Sequence, residues 1–102
     1  MKNKLLQIIQ HYGIDNQLRK FNEENFELIE AIHRLKNFDV IKILARSTLI
    51  KNIKEEIADN LVLLSQFILY YNINLDDIEE IFKQKVERQL KRMEENKWKM
   101  CI

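Results

Sequence analysis

With 102 residues, the chain suits one domain around one hydrophobic core, and 46% hydrophobic with 32% charged residues excludes a disordered or collagen-like polymer. The absence of proline and the single glycine favour long, uninterrupted helices. A formal charge of +1 excludes the cationic excess that broad nucleic-acid binding needs, and the lone cysteine, Cys101, excludes an intramolecular disulfide and suits a reducing cytoplasm.

The N-terminal MKNKLLQIIQHYG reads as an amphipathic helix over about residues 3–12, interrupted by Gln7 and Gln10, rather than as a signal peptide. Gly13 is its expected left-handed C-cap. Asp15 is placed as the N-cap of a second helix reaching about Lys36, with Leu18, Phe21, Leu28, Ile32 and Leu35 at steps of three and four. Asn37 and Asp39 break that pattern, and 38–46 is assigned a short helical turn. Ser47 is placed as the N-cap of a third helix to Tyr71, ended at Asn72. Its most apolar run, Leu61 to Tyr71, contains Ser65 and Gln66 and is too short to span a bilayer. Asn74 opens a fourth helix as NLDDIEE, with acids in the first turn and basic residues from Lys83 to Lys99, both favoured by the helix dipole. The tail after about Asn96 is expected to fray. The whole reads as an all-α bundle in a single domain spanning 1–102.

Several carboxylates fall on the apolar side. At ~100° per residue, Glu24 and Glu27 share a stripe with Phe21, Leu28, Ala31 and Leu35, whereas Glu23 and Glu30 point outward. On the third helix Glu56 and Asp59 fall with Ile53, Asn60, Leu63 and Phe67, and Glu55 points away. If the two helices fold back antiparallel, both i, i+3 pairs reach one level, ~13 Å from the turn. Four ionised acids in a partly apolar setting repel, and a divalent cation removes the conflict. An all-oxygen set suits Mg²⁺ or Mn²⁺ rather than zinc. The competing reading leaves these acids at the stripe's edge, paired with Lys20, Lys51 or Lys54. His33 and His11 lie off the acid stripe and are not expected as ligands.

The motif Glu24-x-x-Glu27, followed after 28 intervening residues (56 − 27 − 1) by Glu56-x-x-Asp59, resembles that of the MazG-like all-α nucleoside triphosphate pyrophosphohydrolases. QLRKFNEENFELIEAI and KEEIADNLVLLSQF resemble the family's two acidic helices, and KVERQLKR its basic helix, with Gln89 where asparagine is usual. The resemblance covers about residues 17–92. It implies a four-helix fold with an antiparallel central hairpin completed by oligomerisation, and hydrolysis of an NTP or dNTP to the monophosphate and pyrophosphate. It further implies Mg²⁺, with Mn²⁺ as the alternative, held by Glu24, Glu27, Glu56 and Asp59. Lys20, Lys85, Gln89 and Arg92 are the matching substrate-binding positions. Phe21 and Phe67 are weighed as borders of a nucleobase and as core, with core the favoured reading.

Residues 61–71 are apolar almost all round, and such a helix must be covered on every side. A homodimer or dimer of dimers is therefore expected, with Leu61, Leu64, Ile68 and Leu69 at the interface, no nucleic-acid partner and no membrane. The alternative function is a catalytically silent helical interaction module. A helix-turn-helix DNA binder fits poorly, because only the fourth helix is basic.

Overall fold

A computed structural model of the protein describes the backbone of residues 1–37 and 43–100 and the side chains of 1–37 and 46–97. The described residues hold four α-helices and no strand: α1 (Lys2–Tyr12), α2 (Ile14–Lys36), α3 (Ile43–Tyr70) and α4 (Leu75–Met100). None of these helices is long and apolar enough to cross a membrane.

The helix boundaries differ from the sequence expectation at three places. Gly13 alone separates α1 from α2, so it caps both: its N–H donates to Ile9 O at 2.8 Å and its carbonyl accepts from Gln17 N at 3.1 Å. Its φ of 85° and ψ of 153° lie outside the left-handed helical well, in a region open essentially to glycine. The chain must leave one helix and enter the next within a single residue. Consequently Asp15 lies inside the first turn of α2 instead of capping it, where its charge still favours the helix start. The third helix begins at Ile43, so Ser47 is an interior residue and not an N-cap. Of the short turn assigned to 38–46, residues 38–42 lie outside the described residues and the rest open α3.

Other boundaries agree with the sequence, the end of α4 excepted. Asn37 receives the end of α2, its N–H donating to His33 O at 3.0 Å. Asn72 takes a positive φ of 52° after α3, a conformation asparagine tolerates better than most residues. Asn74 caps α4 as expected, its Oδ1 accepting from Asp76 N at 2.8 Å, with Asp76 and Asp77 in the first turn. The helix runs on to Met100, past the point where fraying was expected; the side chain of Trp98 lies outside those described.

Two compact units result, Met1–Tyr71 and Asn72–Ile102. In the first, α1 packs on both α3 and α2 and places Ile9 out of contact with solvent. Contacts between α2 and α3 run in opposite directions along the two helices: Gln17 meets Gln66, and seven residues further on along α2 Glu24 meets Asn60, six residues earlier on α3. The hairpin is antiparallel. Phe21 and Phe67 meet edge to face at 5.4 Å between ring centres, both half-buried.

Only Ile9, Ala31 and Leu63 are buried apolar residues among those described, and three buried residues are polar: Gln17, Asn60 and Gln66. Much apolar surface stays exposed, including Leu18, Phe26, Ile29 and Ile32 on α2 and Ile57, Leu61 and Leu64 on α3. By helical rotation these residues lie on the side of the hairpin away from Glu27 and Glu55. In the second unit, α4 carries Leu75, Ile78, Phe82, Val86, Leu90 and Met93 at an average step of ~3.6, a straight apolar stripe whose members are all exposed.

Candidate acidic site on the helix hairpin

The register of α2 against α3 is held by Asn60. Its Nδ2 donates to Glu56 O on its own helix at 2.7 Å and to Glu24 O across the hairpin at 3.1 Å. Two carbonyls facing one amide settle which way the side chain is turned. Each carbonyl belongs to an acid of the predicted motif, so the bond that joins the helices also sets the height at which their carboxylates meet.

At that height one carboxylate oxygen from each of Glu24, Glu27 and Glu56 lies within 4.8 Å of the other two. Asp59 falls outside this group of three, but it lines a cleft with Glu24, and its charge is felt by both Glu24 and Glu56. Glu24 and Glu56 are half-buried, while Glu27 and Asp59 are exposed at the rim. The rotation argument therefore holds for one acid of each pair. The second acid, about 60° round the helix, reaches the site from its solvent edge.

Burial and mutual repulsion set the protonation of the cluster. The Glu24 carboxyl is pushed up from 4.5 to about 7, first by desolvation, then by the charges of Glu27 and Asp59, with a hydrogen bond to Glu56 adding to the rise. Glu56 is also raised, by desolvation and by the Glu27 charge, against the opposing effect of the hydrogen bond it receives from Glu24. The buried oxygens Glu24 Oε2, Glu56 Oε2 and Asn60 Oδ1 have no hydrogen-bond partner. The ion pairs among the described residues, Arg34–Glu30 at 3.6 Å and Lys83–Glu79 at 3.3 Å, do not involve the four motif acids. Partnerless carboxylate oxygens of this kind are hard donors, the type of atom a divalent cation can take.

Two clefts flank the cluster. One, of ≈ 370 Å³, runs from Glu24, Asp59 and Lys20 along α3 to Gln17 and Gln66, with Ile8 and Tyr12 of α1 on its wall. The other, of ≈ 300 Å³, is bounded by Glu27, Glu56, Arg34 and Asn52 among others. Of the predicted substrate-binding residues, Lys20 lies at the first cleft, and Lys85, Gln89 and Arg92 lie on α4 in the second unit. His11 belongs to α1, its ring edge-on to Tyr12, and it is not among the clustered ligands.

Sequence reasoning gave no site role to Gln66, Arg34 or Asn52, nor to Gln17, although Gln17 opens the acidic-helix segment on which the resemblance rests. Gln17 and Gln66 carried a signal, since each is a polar residue on an otherwise apolar stripe, seven positions from a motif acid. No family model, curated protein or solved structure matches the chain.

Proposed function

We propose that the chain is a Mg²⁺-dependent nucleoside triphosphate pyrophosphohydrolase of the MazG-like all-α kind, converting an NTP or dNTP to the monophosphate and pyrophosphate. The observation that carries this reading is the convergence of Glu24, Glu27 and Glu56 from two antiparallel helices, with buried carboxylate oxygens left without partners. Glu24, Glu27, Glu56 and Asp59 would hold the metal, with Mn²⁺ as the alternative ion. Bound there, it would neutralise phosphate charge and lower the pKa of the attacking water.

The chain's own residues orient the substrate and manage protons. Lys20, beside Glu24 at the cleft, offers a cation to a phosphate oxygen. Lys85 and Arg92, seven positions apart on α4, share a face and fit the outgoing pyrophosphate, with Gln89 between them. One glutamate accepts the proton of the water.

The exposed apolar residues of α2 and α3 support a homodimer or a dimer of dimers in which this face is covered, with Leu61, Leu64, Ile68 and Leu69 as interface positions. The same exposed face favours the second reading, a silent helical interaction module. Pyrophosphate release from a dNTP panel with Mg²⁺, and its abolition by EDTA, separates the two. No release from any nucleotide with Mg²⁺ or Mn²⁺ would leave the interaction module standing. A nucleotide-pool enzyme of this kind would work in the cytoplasm without nucleic acid or membrane.

A further inference from the structure

We infer that the Gln17–Gln66 amide pair reads the nucleobase of the substrate, at the end of the first cleft remote from the acids. This deepens the proposed function and rests on taking the acid cluster as the phosphate end of a nucleotide site.

Gln17 Nε2 donates to Gln66 Oε1 at 2.8 Å, and the two side chains are 4% and 1% exposed. Both line the cleft that also reaches Glu24 and Asp59. Gln17 stands seven residues from Glu24 on α2, and Gln66 seven from Asp59 on α3, which is ~10.5 Å along each helix axis. The interval between acids and amides is about one nucleoside long on both helices.

The bond between the glutamines uses one donor of Gln17 and the oxygen of Gln66. Gln17 Oε1 and the amide hydrogens of Gln66 remain for a ligand. Neither atom is among the sealed, partnerless atoms, which are Glu24 Oε2, Glu56 Oε2 and Asn60 Oδ1. A neighbouring acceptor and donor match the amide or amidine edge of a nucleobase, where a carbonyl or ring nitrogen lies next to an N–H. Two leucines would join α2 to α3 without desolvating two amides, so packing by itself does not call for this pair. The remaining walls suit the flat apolar faces of a base: Ile8 and Tyr12 from α1, Val62 and Leu63 from α3. Neither glutamine is charged, and Lys20, between Gln17 and Glu24 on α2, stands where a cation could meet the phosphate that follows the nucleoside.

The test is a titration of the ¹⁵N-labelled full chain with the four 2′-deoxynucleosides, which carry no phosphate and need no metal. At least one should shift the side-chain amide resonances of Gln17 or Gln66 to saturation. The double variant Gln17→Leu/Gln66→Leu, which leaves no orphaned amide, should weaken that binding about tenfold or more with its helical circular dichroism retained. The Gln66→Glu variant keeps the bond from Gln17 but removes the free donor, and it should lose the same affinity. The inference is overturned if no nucleoside moves those amides, or if the variants bind as the parent does. Nucleoside binding at the amides without metal-dependent pyrophosphate release would sink the hydrolase reading and uphold the amide reader. Hydrolysis of dNTPs with base ranking and KM the same in parent and double variant would do the reverse.

Discussion

Replacing Glu24 by glutamine should stabilise the metal-free chain at neutral and alkaline pH and weaken its hold on metal. In the folded chain the Glu24 carboxyl titrates near 7, against 4.5 when unfolded, so the folded state binds the extra proton between those values. Stability is then highest below pH 4.5 and falls as pH rises through the window to about 7, because the unfolded chain has already released its proton. At about 1.4 kcal/mol per unit the full shift is worth roughly 3 kcal/mol, and solvent screening at a half-buried site brings this to about 1 kcal/mol. Glutamine keeps the shape without the charge. Urea unfolding of parent and Glu24→Gln at fixed protomer concentration, in EDTA, from pH 5 to 8.5 should show the parent losing about 1 kcal/mol that the variant keeps. Saturating Mn²⁺ at about a hundred times Kd should return roughly 2.7 kcal/mol to the parent and less to the variant. A variant less stable than the parent at pH 8 in EDTA, or one with the same pH slope, would refute the crowding argument.

Glu27→Ala and Asp59→Ala should each lower pyrophosphate release by about a hundredfold or more while helical circular dichroism is unchanged, since removing a rim acid also relieves repulsion. Loss of folding in both would point to a structural role instead. Asn60→Asp should cost roughly 2–4 kcal/mol in urea midpoint terms at pH 7, because a buried carboxylate would face the carbonyls of Glu24 and Glu56; protonation at low pH should restore part of it. Ile9→Ala removes the one side chain of α1 that is wholly buried and should cost about 2–5 kcal/mol, with amide exchange accelerating first in α1. Light scattering at micromolar concentration should give a particle at least twice 12.4 kDa, and a fully active monomer would exclude the dimer.

Several features of this protein are written locally in its sequence. Helix content follows from the absence of proline, the single glycine and the three- and four-residue apolar steps, and the cap at Asn74 follows from one side chain reaching the N–H of Asp76. The two acidic motifs also came from rotation along single helices, which turned all four acids inward; that only Glu24 and Glu56 are half-buried, with Glu27 and Asp59 at the rim, appeared in the folded hairpin. Helix starts were less legible. Asp15 and Ser47 have cap chemistry, but a one-residue link at Gly13 and a helix already running from Ile43 absorbed both. Tertiary structure decided what needs two helices at once: that Asn60 bridges the carbonyls of Glu24 and Glu56, that Asp59 stands outside the 4.8 Å group, and that Gln17 meets Gln66. A helix's periodicity fixes the direction of each side chain about its own axis, but not the height at which a second helix lies against it. That height is set by a few specific bonds across the hairpin, between residues 36 and 49 positions apart in the chain.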